Sequence, residues 1–232
     1  MKGKGISESM MAKAFEQCLR APASFPGFPN FDTVVREVMC QQGVADFIAA
    51  VGLRQRRKQV AKLGDMAEST GINSIRVLSL LKPVAPRTKD YLVEQSGLSR
   101  QIVTRVLAHL VSQRLAKRVG DRAFRLFSES FSYPGELWAF ELKLNNWKRA
   151  LFQASQYKAF ASRVVTVFPM EREKTLKSNL DKFDKAKVGV MIFDASDRSF
   201  KVLQRPSKIR PSSRMHYLFA FSQVVARKGG KA

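Results

Sequence analysis

Apolar and polar residues alternate with the two-residue period of β-strands through FDTVVREVMCQQGVADFIAAVG, residues 31–52. The polar Gln41-Gln42-Gly43 divides that run into a hairpin, with Glu37 on its first strand and Asp46 on its second. Ahead of it SESMMAKAFEQCLR reads as a helix. Far downstream, GELWAFELKLNNW returns to the strand period: Trp138, Phe140 and Leu142 share one face, Glu141 and Lys143 the other. NNWKRALFQASQYKAFASR then takes the helical period, with Trp147, Leu151, Ala154 and Ala161 inward. VVTVFP predicts a strand, REKTLKSNLDKFDKAK a helix, and VGVMIFDA and SFKVLQRP two more strands. The class implied is α/β, a mixed central sheet flanked by helices.

Between the two strand-rich stretches the pattern changes. From Ile72, NSIRVLSLLKPVAP reads as a helix with Ile75, Leu78 and Leu81 apolar, ended by Pro83 and Pro86. A short helix, a Gly97 turn and an N-cap at Ser99 follow, then a third helix to about Gln113 and a hairpin turning at Gly120-Asp121. Three helices and a two-stranded wing is the winged helix-turn-helix order. In the third helix Ile102, Val103, Val106, Leu107 and Leu110 make the inward stripe, leaving Arg100, Gln101, Thr104, Arg105 and His109 outward. Lys117, Arg118, Arg122 and Arg125 surround the wing. The expected organisation is a core in two halves, residues 1–52 and 128–206, an inserted domain at 53–127, and a basic C-terminal segment at 207–232. In that last segment an apolar run from Tyr217 to Val225 predicts a strand or helix, which either closes the core or pairs two copies of the chain, and RKGGKA reads as disordered.

Charge sharpens this division. The chain of 232 residues carries a formal +22, which in a water-soluble protein points to a polyanionic partner, most often a nucleic acid. Residues 53–127 hold 16 Lys and Arg against 5 Asp and Glu, and residues 198–232 hold 9 against none, while the rest nets only +2. Two segments are thus suited to gripping phosphates, and the near-neutral remainder holds the acids. No run approaches the roughly 18 apolar residues of a membrane span, and MKGKGISESMMAKAF lacks a leader-like apolar core, so a cytosolic protein without membrane contact is expected. Two cysteines, Cys18 and Cys40, make no disulfide framework, and two isolated histidines, His109 and His216, offer no zinc-type spacing. His109 is expected on the recognition helix and His216 in a loop or strand.

A carboxylate and an amine two residues apart on one face of an apolar strand are costly to bury without a purpose. Asp46, followed much later by Glu141-Leu142-Lys143, resembles the D…E-x-K signature of the PD-(D/E)XK restriction-endonuclease-like nucleases. Gln153 and Tyr157, one turn apart on the helix that follows, resemble the Q-x-x-x-Y of exonuclease-like branches of that superfamily. The resemblance covers residues 1–52 and 128–206; Ala45 stands where the family has Pro, and the 95 positions from Asp46 to Glu141 become a compact step only once the inserted domain is removed.

The resemblance implies a DNA nuclease in which Asp46, Glu141 and the Leu142 carbonyl hold Mg²⁺ (or Mn²⁺), with a further acid from the first helix, Glu16 in preference to Glu8. Lys143 would lie near the attacking water, with Gln153 and Tyr157 close by, and Glu37 either supports the site or faces solvent. Such a cation takes hard oxygen ligands and acidifies water, and an ammonium stabilises growing negative charge. Arg100, Gln101, Thr104, Arg105, Lys117, Arg118 and Arg122 are the expected contacts to double-stranded DNA, and cleavage of both strands would call for a homodimer. The alternative class is a catalytically inactive, nuclease-like regulator that only binds DNA. An RNA-binding module ranks last, because the aromatic-rich recognition strands of such modules are missing.

Overall fold

The computed structural model describes residues 7–21, 27–40, 43–128 and 133–229. The chain divides into two compact units, one formed by residues 1–51 and 136–212, the other by 52–135 and 213–232.

The first unit is an α/β layer structure built on a mixed six-stranded sheet. Helix α1 (Glu8–Arg20) precedes the antiparallel pair β1 (Thr33–Cys40) and β2 (Gly43–Val51). Gln41 and Gln42 of the expected turn lie outside the described residues; Gly43, at φ 127, opens β2. A later segment supplies β6 (Glu136–Leu142), α5 (Trp147–Tyr157), β7 (Arg163–Pro169), the short helices α6 (Glu173–Lys177) and α7 (Leu180–Lys185), β8 (Gly189–Phe193) and β9 (Phe200–Gln204). The sheet order is β1-β2-β6-β7-β8-β9. β2 and β6 are antiparallel neighbours, whereas β6, β7 and β8 run parallel, and only the parallel steps need helical crossovers.

Each face of the sheet is covered. Met11, Phe15 and Leu19 of α1 pack on Phe47, Trp138, Phe140, Leu142, Val165, Val167, Met191 and Phe193. Phe15 is the hub, its ring centroid 5.4–5.9 Å from those of Phe47, Phe140 and Phe193. Burying such a ring is worth about 2–3 kcal/mol, so this contact fixes α1 against the sheet. Helix α5 covers the other face through Ala150, Ala154 and Tyr157, all buried, the two alanines letting the helix approach closely. Trp147 and Leu151, expected inward, are half-buried, and the helix stops at Tyr157, so Ala161 is buried beyond its end. The helix expected over 172–187 is broken at Ser178-Asn179, where both side chains hydrogen-bond back to carbonyls one turn earlier.

The second unit contains α2 (Arg57–Leu80), β3 (Arg87–Thr88), α3 (Lys89–Ser96), α4 (Arg100–Ser112), β4 (Ala116–Val119), β5 (Ala123–Leu126) and α8 (Arg214–Gly229), its strands ordered β3-β5-β4. Thr88 and Ser99 cap α3 and α4 through their hydroxyls. Helix α4 buries Val103, Val106, Leu107 and Leu110, while Ile102 is half-buried. Helix α2 starts well before the expected Ile72, with a break at Gly71 (φ 62). The apolar run from Tyr217 is helical, and His216 lies on it rather than in a loop or strand. Of the final RKGGKA, residues 227–229 end this helix and 230–232 lie outside the described residues. Helix α8 packs on α2, so closely that a β-carbon on Gly64 would stand 2.9 Å from Val225. The Tyr217 hydroxyl donates to the Gly135 carbonyl at 2.7 Å, and Arg214 donates to the Ser79 and Leu81 carbonyls at the end of α2. Among the described residues no helix is long and apolar enough to cross a membrane.

Candidate active site

The β2–β6 ladder runs from Val51↔Glu136 to Phe47↔Phe140 and stops there. One more step of the register sets Asp46 opposite Glu141, on the face that α5 covers. Instead of continuing the ladder, the Leu142 N–H donates to the Asp46 carboxylate at 2.7 Å. The strands therefore separate where the two carboxylates face each other, a side chain replacing the backbone acceptor.

Glu141 is almost fully buried, its side chain 1% exposed, and two groups hold it. Tyr157 donates its hydroxyl to Oε2 at 2.5 Å and lies 2.8 Å from the Val44 carbonyl, joining α5 to β2 as well. Lys143 places Nζ 2.8 Å from Oε1, and the same ammonium donates to Glu8 Oε1 at 3.2 Å. The contact to Oε1 is not aligned as a hydrogen bond, so that buried oxygen keeps unused acceptor capacity. Gln153, one turn before Tyr157 on α5, likewise has a buried carbonyl oxygen with no donor among the described residues.

The electrostatics follow from this crowding. Burial raises the Asp46 carboxyl above its ordinary range, against the pull of the Leu142 N–H and Lys143. Glu141 is raised by burial and then by Asp46. Burial works to lower the Lys143 ammonium, but Glu141, then Asp46 and Glu8, outweigh it and hold it above the ordinary value. Lys143 is thus a fixed cation and not a proton acceptor. The Tyr157 phenol is raised by burial and by Glu141, so it acts as a donor.

Of the residues singled out in the sequence, Asp46, Glu141, Leu142, Lys143 and Tyr157 come together. The preference for Glu16 over Glu8 is corrected: Glu16 is paired with Arg20 one turn on at 2.8 Å, and Glu8 reaches Lys143. Glu8 lies one turn ahead of the stripe Ala12, Phe15 and Leu19 and Glu16 beside it, a difference of face that becomes decisive only once α1 is seated on the sheet. Glu37 is 68% exposed, sits 3.4 Å from Arg36, and adopts φ 51, a left-handed conformation inside a strand. The other missed partner is the Val44 carbonyl, which side-chain patterns cannot reveal. No cluster of three or more His, Cys, Asp or Glu side chains close enough to share one ion occurs among the described residues. A cavity of about 330 Å³ in this unit is lined by Phe28, Glu136, Trp138, Arg163 and Arg205, at the other end of β6 from Glu141, and does not serve these carboxylates.

In the second unit Arg100, Gln101, Thr104 and Arg105 are exposed on α4, and His109 is half-buried. Arg100 is hydrogen-bonded to Asp90, and Arg118 donates to the Asp121 carbonyl at 2.5 Å. Lys117 lies over the Phe127 ring at 5.9 Å, Arg125 donates to the Pro83 carbonyl at 3.4 Å, and Arg122 is exposed. No family model, curated protein or solved structure matches this chain.

Proposed function

We propose that the protein is a Mg²⁺- or Mn²⁺-dependent deoxyribonuclease of the restriction-endonuclease-like kind, its active site at Asp46, Glu141 and Lys143 and its DNA-docking domain the second unit. The observation that carries this reading is the pair of carboxylates brought opposite each other where the β2–β6 ladder ends, one of them buried with an unsatisfied oxygen. Two acids raised by burial, Glu141 further by Asp46 and Asp46 by Glu8, are an arrangement that a divalent cation relieves.

The donor set fits a hard cation. Asp46 and Glu141 offer carboxylate oxygens, and the Leu142 carbonyl points to the same side of the extended strand as its N–H, toward Asp46. When bound, the cation supplies Lewis acidity that polarises a phosphate oxygen and makes water a stronger acid. The chain's own groups do the rest. Tyr157 fixes the Glu141 carboxylate, Glu8 steadies the Lys143 ammonium, and Lys143 stabilises the negative charge that grows on a phosphate under attack. The helix, strand, helix, helix, hairpin order of the second unit suits a winged helix, with α4 as the element that enters the major groove.

The test is incubation of plasmid, linear and branched DNA with the protein in Mg²⁺, Mn²⁺ or chelator. Metal-dependent cleavage that Glu141→Ala abolishes supports the proposal. Intact DNA in every case, with tight binding of one duplex sequence that survives Glu141→Ala, would instead support the regulator. One observation favours that second reading: Lys143 already neutralises Glu141, so the site is electrostatically half-satisfied without a cation.

A further inference from the structure

Where α3, α4 and the β4–β5 hairpin meet, the second unit has a cleft of about 510 Å³ lined by Thr88, Lys89, Asp90, Arg100, Arg118, Asp121, Arg122 and Phe124. Four cations from three elements thus surround two acids, a net +2 on a concave surface. The first turns of α3 and α4 add the positive ends of their dipoles. Among the described residues the side chains of Lys89 and Arg122 have no hydrogen-bond or ion-pair partner, whereas Arg100 is held by Asp90. The Asp90–Arg100 pair is open to solvent, with side chains 74% and 66% exposed, so it is a weak contact that a stronger anion can displace.

We propose that this cleft seats a phosphodiester of duplex DNA, and that Asp90 is its placeholder, occupying Arg100 until a phosphate takes its place. This rests on the DNA-docking reading above and adds the anion site and its built-in competitor. Size and charge both fit: the volume lies within the roughly 300–1,000 Å³ of ligand sites, and a diester anion matches Arg100, Lys89 and Arg122 together. The competitor has a measurable signature. A phosphate contact releases a counterion from the DNA, but the stripped Asp90 takes one up again, so part of the salt dependence is hidden.

The experiment measures anisotropy of a short fluorescent duplex with the full-length protein in chelator, over a range of KCl concentrations. Asp90→Asn should tighten binding roughly two- to fivefold, the worth of one exposed ion pair. It should also steepen the slope of log K against log salt by up to about 0.9, one counterion. Glu94→Gln makes the same change in net charge one turn along α3 but outside the cleft, and should leave both readings unchanged. In an Arg100→Gln background the gain from Asp90→Asn should vanish. An equal gain from Glu94→Gln, a gain that persists without Arg100, or no gain at all in a protein with the native circular dichroism spectrum would each overturn the placeholder while leaving DNA docking intact. If the wild-type protein does not bind the duplex even at low salt, the docking reading fails and takes this inference with it.

Discussion

Replacing Asp46 with Asn should make the metal-free protein more stable at neutral pH. Positions directly opposite on neighbouring antiparallel strands hold their β-carbons about 5 Å apart. Two unit charges at about 5 Å repel by roughly 3 kcal/mol at an effective dielectric constant near 20. Asparagine keeps an oxygen for the Leu142 N–H, 2.7 Å from the Asp46 carboxylate, and removes the charge. Weakening that charge-assisted bond costs about 1 kcal/mol, and losing the attraction to Lys143 costs roughly 2 kcal/mol at about 8 Å and the same dielectric, while lifting the burial penalty on the Asp46 charge, the largest cause of its raised carboxyl, returns about 1 kcal/mol. The balance is a gain of about 1 kcal/mol, or roughly 3–5 °C in the melting temperature of a unit of this size. Both tryptophans, Trp138 and Trp147, belong to the first unit, so a fluorescence melt in chelator reads that unit alone.

The effect also has a required pH dependence. Because Asp46 and Glu141 are raised in the folded protein, the folded form holds their protons more tightly than the unfolded chain does. Their contribution is fully present below the unfolded carboxylate range near 4 and is lost as pH rises through the higher folded values. The advantage of Asp46→Asn should therefore be small at pH 4 and complete at pH 8. A variant less stable than wild type at pH 8, or an advantage that ignores pH, would refute the view that these carboxylates oppose each other. Added Mn²⁺ should reverse the order, raising the melting temperature of the wild type alone.

Further expectations follow from single contacts. At Glu37, φ 51 costs an L-residue about 1–2 kcal/mol, so Glu37→Gly should be neutral or slightly stabilising and Glu37→Val destabilising, the reverse of ordinary strand preference; the same melts decide, and a more stable valine variant sinks the assignment. Tyr157→Phe removes the hydroxyl that donates to Glu141 Oε2 and lies against the Val44 carbonyl and should cost about 1–3 kcal/mol in urea unfolding, and an unchanged midpoint would show the bridge to be idle. Burial pushes the Cys40 thiol up to about 12, so it should resist thiol reagents at pH 8 until the protein unfolds, and rapid labelling in native buffer would contradict this.

How legible the molecule was depended on whether a feature is local. Alternation around Asp46 and Glu141 specified β2 and β6 and their faces, because a strand's period is a property of consecutive residues. The caps Thr88 and Ser99 and the turn glycines Gly97 and Gly120 likewise marked α3, α4 and the hairpin. The start of α2 was not legible. RKQVAKLGDMAEST carries a glycine at 64, and Gly64 is where Val225 of α8 packs, a reason lying some 160 positions away. The same distance problem hid the role of α8, which read equally well as a strand, a helix or a pairing segment. Within the site, the carboxylates, Lys143 and Tyr157 could be nominated from spacing. The choice of Glu8 over Glu16 depends on which turn of α1 reaches Lys143, and that is set by how Phe15 seats among three other rings.

The 95 positions between Asp46 and Glu141 look like an obstacle to a shared site, and the sheet explains why they are not. Val51 and Glu136, where the chain leaves and re-enters the first unit, are paired neighbours. A two-residue turn could join them, so the sheet asks nothing of the intervening residues beyond bringing their ends together. Loop-closure entropy grows only with the logarithm of length, about 0.6 kcal/mol per doubling, and an insert that folds on itself costs less still. Asp46 and Glu141 stand five residues inside that junction on either strand, and register alone sets them face to face. A unit inserted at this point can change in length without disturbing the carboxylates, whereas a one-residue slip between β2 and β6 would turn one of them to the α1 face and end the candidate site.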